Sequence, residues 1–214
     1  MQFSLHKIHS NDEIHSFRFF EPMEPAMARL PFVDAKQDPE FAAVLKELEQ
    51  SRGVVSNALR SMGHAPDALR RFAAVGDYAR YRSTLSARTR EIVIVITGRA
   101  SSYAIKHHGP LALQAGITQA ELDALCQGKV PATFNATDKA VAQYVLEFTS
   151  PGSVTDATFA ALGKVMTPRE LTDVSFTSAY YVAFAMMTAA LGAHVDSEAF
   201  VAAELEWQKQ KDLA

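Results

Sequence analysis

Glu91 is the one carboxylate in a strongly apolar run, and seventeen residues later two imidazoles follow it, His107 and His108, with Gly98 midway in SARTREIVIVITGRASSYAIKHHGPLALQAG. In one straight helix, at about 1.5 Å per residue, Glu91 and His108 would stand roughly 25 Å apart. A chain reversal near Gly98 gives two arms of nearly equal length and lets the two side chains meet. A carboxylate that fixes an imidazole's tautomer and raises its basicity makes a group able to give and take protons near neutrality. Burial among Ile and Val is expected to raise the carboxylate's own proton affinity.

The elements that position these groups read as helices. Asp38 caps a helix with Pro39 at its first position and Phe41, Val44, Leu45 and Leu48 along one stripe, ended by Gly53. A short helix covers 54–61. A third follows Pro66 with Leu69, Phe72, Ala73 and Val75 on one face. EIVIVIT has the β-branched content of a strand, but no second strand is legible to pair with it, and a lone strand would leave its backbone groups unsatisfied. It reads as a helix buried nearly all round. Thr118 and Glu121 form a capping box. A helix opened by Thr137 or Asp138 reaches Phe148, and another covers 156–162. Thr167-Pro168-Arg169-Glu170 launches a long helix to Leu191, and a last one runs over 198–211. The stretch TSAYYVAFAMMTAALG is apolar on all faces, which places it centrally or at a subunit interface. SARTREIVIVIT and TPRELTDVSFT each set a capping residue before Arg-Glu and an apolar run, the pattern of a worn internal duplication.

The expected class is therefore all-α. An irregular arm, broken by Pro22, Pro25 and Pro31, covers 1–37, and its aromatics are expected to pack on the body or on a neighbouring subunit. A single helical domain covers 38–214, with its core at 84–130. The 214 residues are 48% apolar and 21% charged, ordinary for a soluble globular chain. A net charge of −3 gives no basic footprint for nucleic acid. No charge-free run is expected to be long enough to span a bilayer, and the acidic start lacks the core of a secretion signal, so the expected compartment is the cytoplasm. The single Cys126 allows no intrachain disulfide and reads as a small buried hydrophobe. His6, His9 and His15 read as surface residues, and Arg70-Arg71 and the terminal QKQKD as solvated faces.

Arg90-Glu91 before the apolar run, Tyr103 five residues ahead of His108, then Ala112, Gly116 and the capped ITQAEL resemble the carboxymuconolactone decarboxylase and alkylhydroperoxidase-D-like family. The similarity covers about 41–195. It implies an alkylhydroperoxidase-D-like helical bundle assembled as trimers or hexamers. The family's peroxidases carry Cys-x-x-Cys ending four residues before the histidine. Here those two places hold Ser101 and Ala104, so the dithiol route is closed.

The resemblance further implies a reaction at carbon next to an activated carbonyl, on a small-molecule carboxylate or lactone, without cofactor or metal. His108 is the expected proton donor and Glu91 its partner. Ser101 and Ser102 are expected to offer backbone N–H groups and hydroxyls to an anion, with Tyr103, Lys106 and His107 as further substrate contacts. Two other readings stand beside this one: a catalytically silent helical oligomer that binds a small ligand, and a residual peroxidase using Cys126 with an external thiol. Adjacent histidines point in different directions on a helix, which disfavours a shared metal ion.

Overall fold

Side chains that satisfy otherwise orphaned helix-start N–H groups set most of the element boundaries. The structure, a computed structural model, describes residues 28–150, 152 and 154–212. Among these are ten helices and no strand. Helix α1 (Pro39–Arg52) starts at Asp38, whose carboxylate accepts the Phe41 N–H at 2.9 Å, and ends at Gly53 with φ 73°. A Cβ at residue 53 would meet the Trp207 ring at 2.6 Å, so glycine here both reverses the backbone and lets the C-terminal helix approach. Helix α2 (Asn57–Ser61) is shorter than expected, because Ser56 is extended and caps it.

Helix α3 (Pro66–Tyr81) buries Leu69, Ala73, Gly76, Ala79 and Arg80, while Val75 is exposed. At about 100° per residue Val75 points roughly 120° away from Leu69, which corrects its placement on the buried face. Helix α4 (Ala87–Gly98) is the helix expected for EIVIVIT. Ile92 through Ile96 are all fully buried, because α4 is wrapped by α5 (Ser102–Gln114), α7 (Ala136–Phe148) and α9 (Pro168–Leu191), with α6 (Gln119–Cys126) at its flank. β-branched side chains all round α4 are thus covered by neighbouring helices, and each contributes about 1.5–3 kcal/mol by leaving water.

Capping boxes close at Thr118/Glu121 and Thr167/Glu170 as expected. Helix α7 is capped by Asn135, not by Thr137 or Asp138: the Asn135 side chain accepts the Asp138 N–H at 2.8 Å. Helices α8 (Asp156–Gly163) and α10 (Glu198–Asp212) complete the set. Among the described residues three apolar clusters share the interior, the smallest joining Ile94 to Tyr180 and Tyr181. Of the other two, one gathers α4, α6, α7 and α9, and the other, with Phe41, Val44, Leu48, Leu59 and Leu69, lies between α1, α2 and α3.

The two Arg-Glu pairs differ in position and role. Glu170 caps α9, whereas Glu91 lies two positions deeper in α4 and is buried. Helix α9 also meets the length and hydropathy of a membrane span, with mean hydropathy 1.4 over eighteen residues, contrary to expectation. It nevertheless buries Asp173, Val174, Thr177, Ser178, Tyr180 and Tyr181 against the bundle. Its Phe176, Met186 and Met187 are exposed.

Only the end of the N-terminal arm falls within the described residues, where Ala28 N–H donates to His194 Nε2 and Arg29 N–H to the Leu191 carbonyl. The aromatic stretch ahead of it, with His6, His9 and His15, lies outside the described residues.

Candidate active site

The chain reverses after Gly98. Ser101 N–H donates to the Gly98 carbonyl at 2.8 Å, and the Ser101 hydroxyl caps α5 by accepting the Ala104 N–H. Arg99 ties the turn to the end of α7 by donating to the Ile96 carbonyl and to Thr149 Oγ1. A Cβ at residue 98 would lie 2.5 Å from Ala104 Cβ, so the arms pack closely only because 98 is glycine. Glu91 and His108 then face each other, with Nδ1 to Oε2 at 2.9 Å. They are 2% and 7% exposed. Helix α5 runs unbroken through Gly109-Pro110, so the paired histidines sit within a helix and not at its end.

Glu91 can only accept in this pair when ionised, so His108 Nδ1–H donates and Nε2 carries the ring's free lone pair. Burial pushes the Glu91 carboxyl up, but the facing His108 ring outweighs it, helped by Arg90 and Arg80, and the net effect holds the carboxyl below its usual range. This overturns the expectation that its apolar surround would raise it: burial is the largest single effect but is outweighed by the facing His108 ring together with Arg90 and Arg80. Arg90 Nε stands 3.4 Å from Glu91 Oε1, and its other nitrogens donate to the Arg80 carbonyl and Asp212.

His108 lines an enclosed cavity of about 40 Å³, room for about three ordered waters. Its wall combines polar side chains with Ala104, Phe184 and Ala185. Tyr181 meets the His108 ring edge-on at 5.2 Å and 89°. On its far side Glu91 borders a second cleft of about 210 Å³, beside Arg90, Gln114, Lys209 and Asp212. The acid–imidazole pair therefore stands in a wall between two spaces.

His107 and Tyr103 also line the cavity, but their polar ends are engaged with carboxylates. His107 Nδ1 donates to Glu204 Oε2 at 2.7 Å. Its Nε2 lies 3.3 Å from Asp196 Oδ2, at ion-pair distance but without the alignment of a hydrogen bond. Tyr103, stacked on His107 at 4.5 Å, donates to Asp196 at 2.6 Å and accepts the Ala58 N–H. Burial pushes His107 down, but Asp196 and Glu204 together lift it to about 9, so it is cationic at neutral pH. Ser101, Ser102 and Lys106 do not line the cavity: Ser101 is a cap, Ser102 is exposed, and Lys106 reaches outward to Glu198 at 3.4 Å.

Residues distant in sequence complete the wall: Arg52, Arg80, Tyr180, Tyr181 and Glu204. Arg80 pairs with Glu204 at 2.6 Å and donates twice to Gln208, which is 1% exposed. The terminal QKQKD is accordingly not a wholly solvated face. Cys126 is half-buried in α6, outside the cavity, and burial pushes its thiol up. Among the described residues no cluster of three or more His, Cys, Asp or Glu is arranged to hold a metal ion.

Residues 66–147 match the carboxymuconolactone decarboxylase family model. No curated protein matches the chain. Among solved structures, it is similar to an uncharacterised peroxidase-related protein with an alkylhydroperoxidase AhpD core from Ralstonia eutropha JMP134, at TM-score 0.68 and 21% identity over 83% of this chain and 96% of that one. A peroxidase-related protein from Silicibacter sp. TM1040 aligns at TM-score 0.66 and 18% identity, over 84% and 96% of the two chains. The debrominase Bmp8 aligns at TM-score 0.62 and 16% identity, over 83% and 96%. At such identities these likenesses speak to the fold, which is that of the alkylhydroperoxidase-D core. The segment 66–147 that matches this family model runs from the start of α3 almost to the end of α7 and carries both Glu91 and His108.

Proposed function

We propose that the chain is a cofactor-independent enzyme of decarboxylase type, acting by proton transfer on a small carboxylated lactone or similar enolisable acid. The 2.9 Å hydrogen bond from His108 to Glu91, buried in a cavity wall, carries this reading. Loss of carbon dioxide leaves an electron pair on carbon, delocalised onto the neighbouring carbonyl oxygen. His108 Nε2 delivers a proton to that carbon, and ionised Glu91, accepting the Nδ1–H, stabilises the imidazolium before transfer. Tyr181, whose ring lines the same cavity beside His108, is the donor assigned in this reading to the developing oxyanion. Enclosure keeps water from competing for the carbanion.

The related debrominase has also been solved as a cysteine-to-alanine variant in complex with 2,3,4-tribromopyrrole. Thiol chemistry finds no support in this cavity: positions 101 and 104 are Ser and Ala, and Cys126 is elsewhere. The test is a panel of carboxylated γ-lactones and enolisable acids, followed by carbon dioxide release and by deuterium uptake from solvent. His108→Gln is expected to abolish both, by 10²-fold or more, while Cys126→Ser leaves them unchanged. Turnover that survives His108→Gln, or that disappears with Cys126, would refute the reading.

A further inference from the structure

Away from His107 and His108, the cavity wall holds two buried donors, Arg52 Nε–H and the Tyr180 hydroxyl, whose protons no other described residue accepts. Arg52, at the end of α1, donates through Nη2 to the Ala73 carbonyl at 2.9 Å and lies 2.7 Å from Asp77 Oδ1, yet its buried Nε–H has no partner. The Tyr180 hydroxyl, on a side chain 5% exposed, has none either. Both residues line the cavity. They come together over Gly76 of α3, where a Cβ would sit 2.3 Å from Tyr180 Oη and 2.8 Å from Arg52 Nη2. Any side chain at residue 76 would close this corner.

Buried donors are almost always paired, and leaving one unpaired is costly. Two of them converging on one corner of a cavity require an acceptor that arrives with a ligand. The guanidinium supplies a positive charge, and burial keeps the Tyr180 proton in place against the pull of Arg52. Tyr181 meets Tyr180 edge-on at 5.2 Å, as it does His108 on its other side, so its ring spans the distance between this corner and the base. Phe184, whose ring lies 5.8 Å from Tyr180 and 6.2 Å from Tyr181, and Ala185 add apolar surface to the same cavity.

We infer that Arg52 and Tyr180 form the carboxylate-binding end of the cavity, holding a small acid with a short apolar body that lies along Tyr181 toward His108. This deepens the proposed proton-transfer reading, fixing where the substrate's charge rests and which end faces the base.

The probe is propionate, titrated calorimetrically into the full chain, with propionamide as its uncharged isostere. The wild type is expected to bind propionate at least tenfold more tightly than propionamide. Tyr180→Phe removes a hydroxyl whose polar neighbour is the Arg52 guanidinium and whose proton has no acceptor among the described residues, so its unfolding midpoint should change little while propionate affinity falls about tenfold or more. Arg52→Lys keeps a charge beside Asp77 but loses the free Nε–H, and should weaken propionate likewise. Equal binding of acid and amide, no propionate binding by the wild type, or unchanged affinity in Tyr180→Phe would overturn the inference. The two claims fail separately. Tyr180-dependent propionate binding without turnover of any lactone or acid would sink the reaction and leave the subsite, whereas His108-dependent turnover with Tyr180-independent binding would do the reverse.

Discussion

Gly98 and Ala104 face each other across the chain reversal so closely that a single methyl group at residue 98 would lie 2.5 Å from Ala104 Cβ. That contact sets the spacing of α4 and α5, and with it the hydrogen bond between Glu91 and His108.

Gly98→Ala should therefore separate the arms. Helix propensity would favour alanine by about 1 kcal/mol, but overpacking against a fixed Cβ costs about 1–3 kcal/mol. The expected outcome is a net loss of up to about 2 kcal/mol in chemical denaturation, together with reduced turnover from a stretched Glu91–His108 pair. A more stable variant with full activity would show that the close approach is not what positions the pair.

His107 gives the fold a pH dependence. Its ring is held up to about 9 in the folded state by Asp196 and Glu204, against about 6.5 in an unfolded chain. A raised folded value means the stabilisation is fully present below about pH 6.5 and is lost as pH rises through about 9. Between those limits the unfolding free energy of the wild type should fall by on the order of 1–3 kcal/mol, and the curve for His107→Gln should lack that component. Parallel curves for the two proteins over pH 6–10 would contradict the assignment.

Asp173 is 1% exposed and accepts from the Tyr78 hydroxyl, the Thr84 N–H and the Thr84 Oγ1, joining the start of α9 to the loop between α3 and α4. Asp173→Ala would strand those donors and should cost about 2–5 kcal/mol, measured by urea denaturation. Because Asp173 does not line the cavity, turnover of the folded fraction should persist. A cost below about 0.5 kcal/mol would show that the junction is solvated and weak.

What the sequence made legible was local. Asp38, Thr118 and Thr167 announce their helices because a cap acts on backbone within three residues. EIVIVIT is recognisable as a helix because no second strand could pair with it, and its burial from Ile92 to Ile96 fits a helix wrapped on several sides. Glu91 and His108 stood out because a lone carboxylate in an apolar run and an imidazole at matching distance from Gly98 are each unusual.

The rest of the cavity depends on contacts that no local pattern encodes. Arg80 and Glu204 are 124 residues apart, Tyr103 and Asp196 are 93 apart, and each residue alone reads as an ordinary helix-surface charge or core ring. The same applies to Gln208, whose burial depends on α10 docking over Gly53 and Arg80. The sign of the Glu91 shift was less legible, because burial is set against the close approach of His108, with Arg90 and Arg80 adding to it, and that balance depends on tertiary packing.

The most direct test of the account is the protonation of His108 itself, read from its ring nitrogens by 15N NMR at a pH where the ring is neutral. The account predicts a proton on Nδ1, held by Glu91, with Nε2 bare toward the cavity, and a loss of that preference in Glu91→Gln. A proton found on Nε2, or a spectrum indifferent to Glu91→Gln, would contradict it.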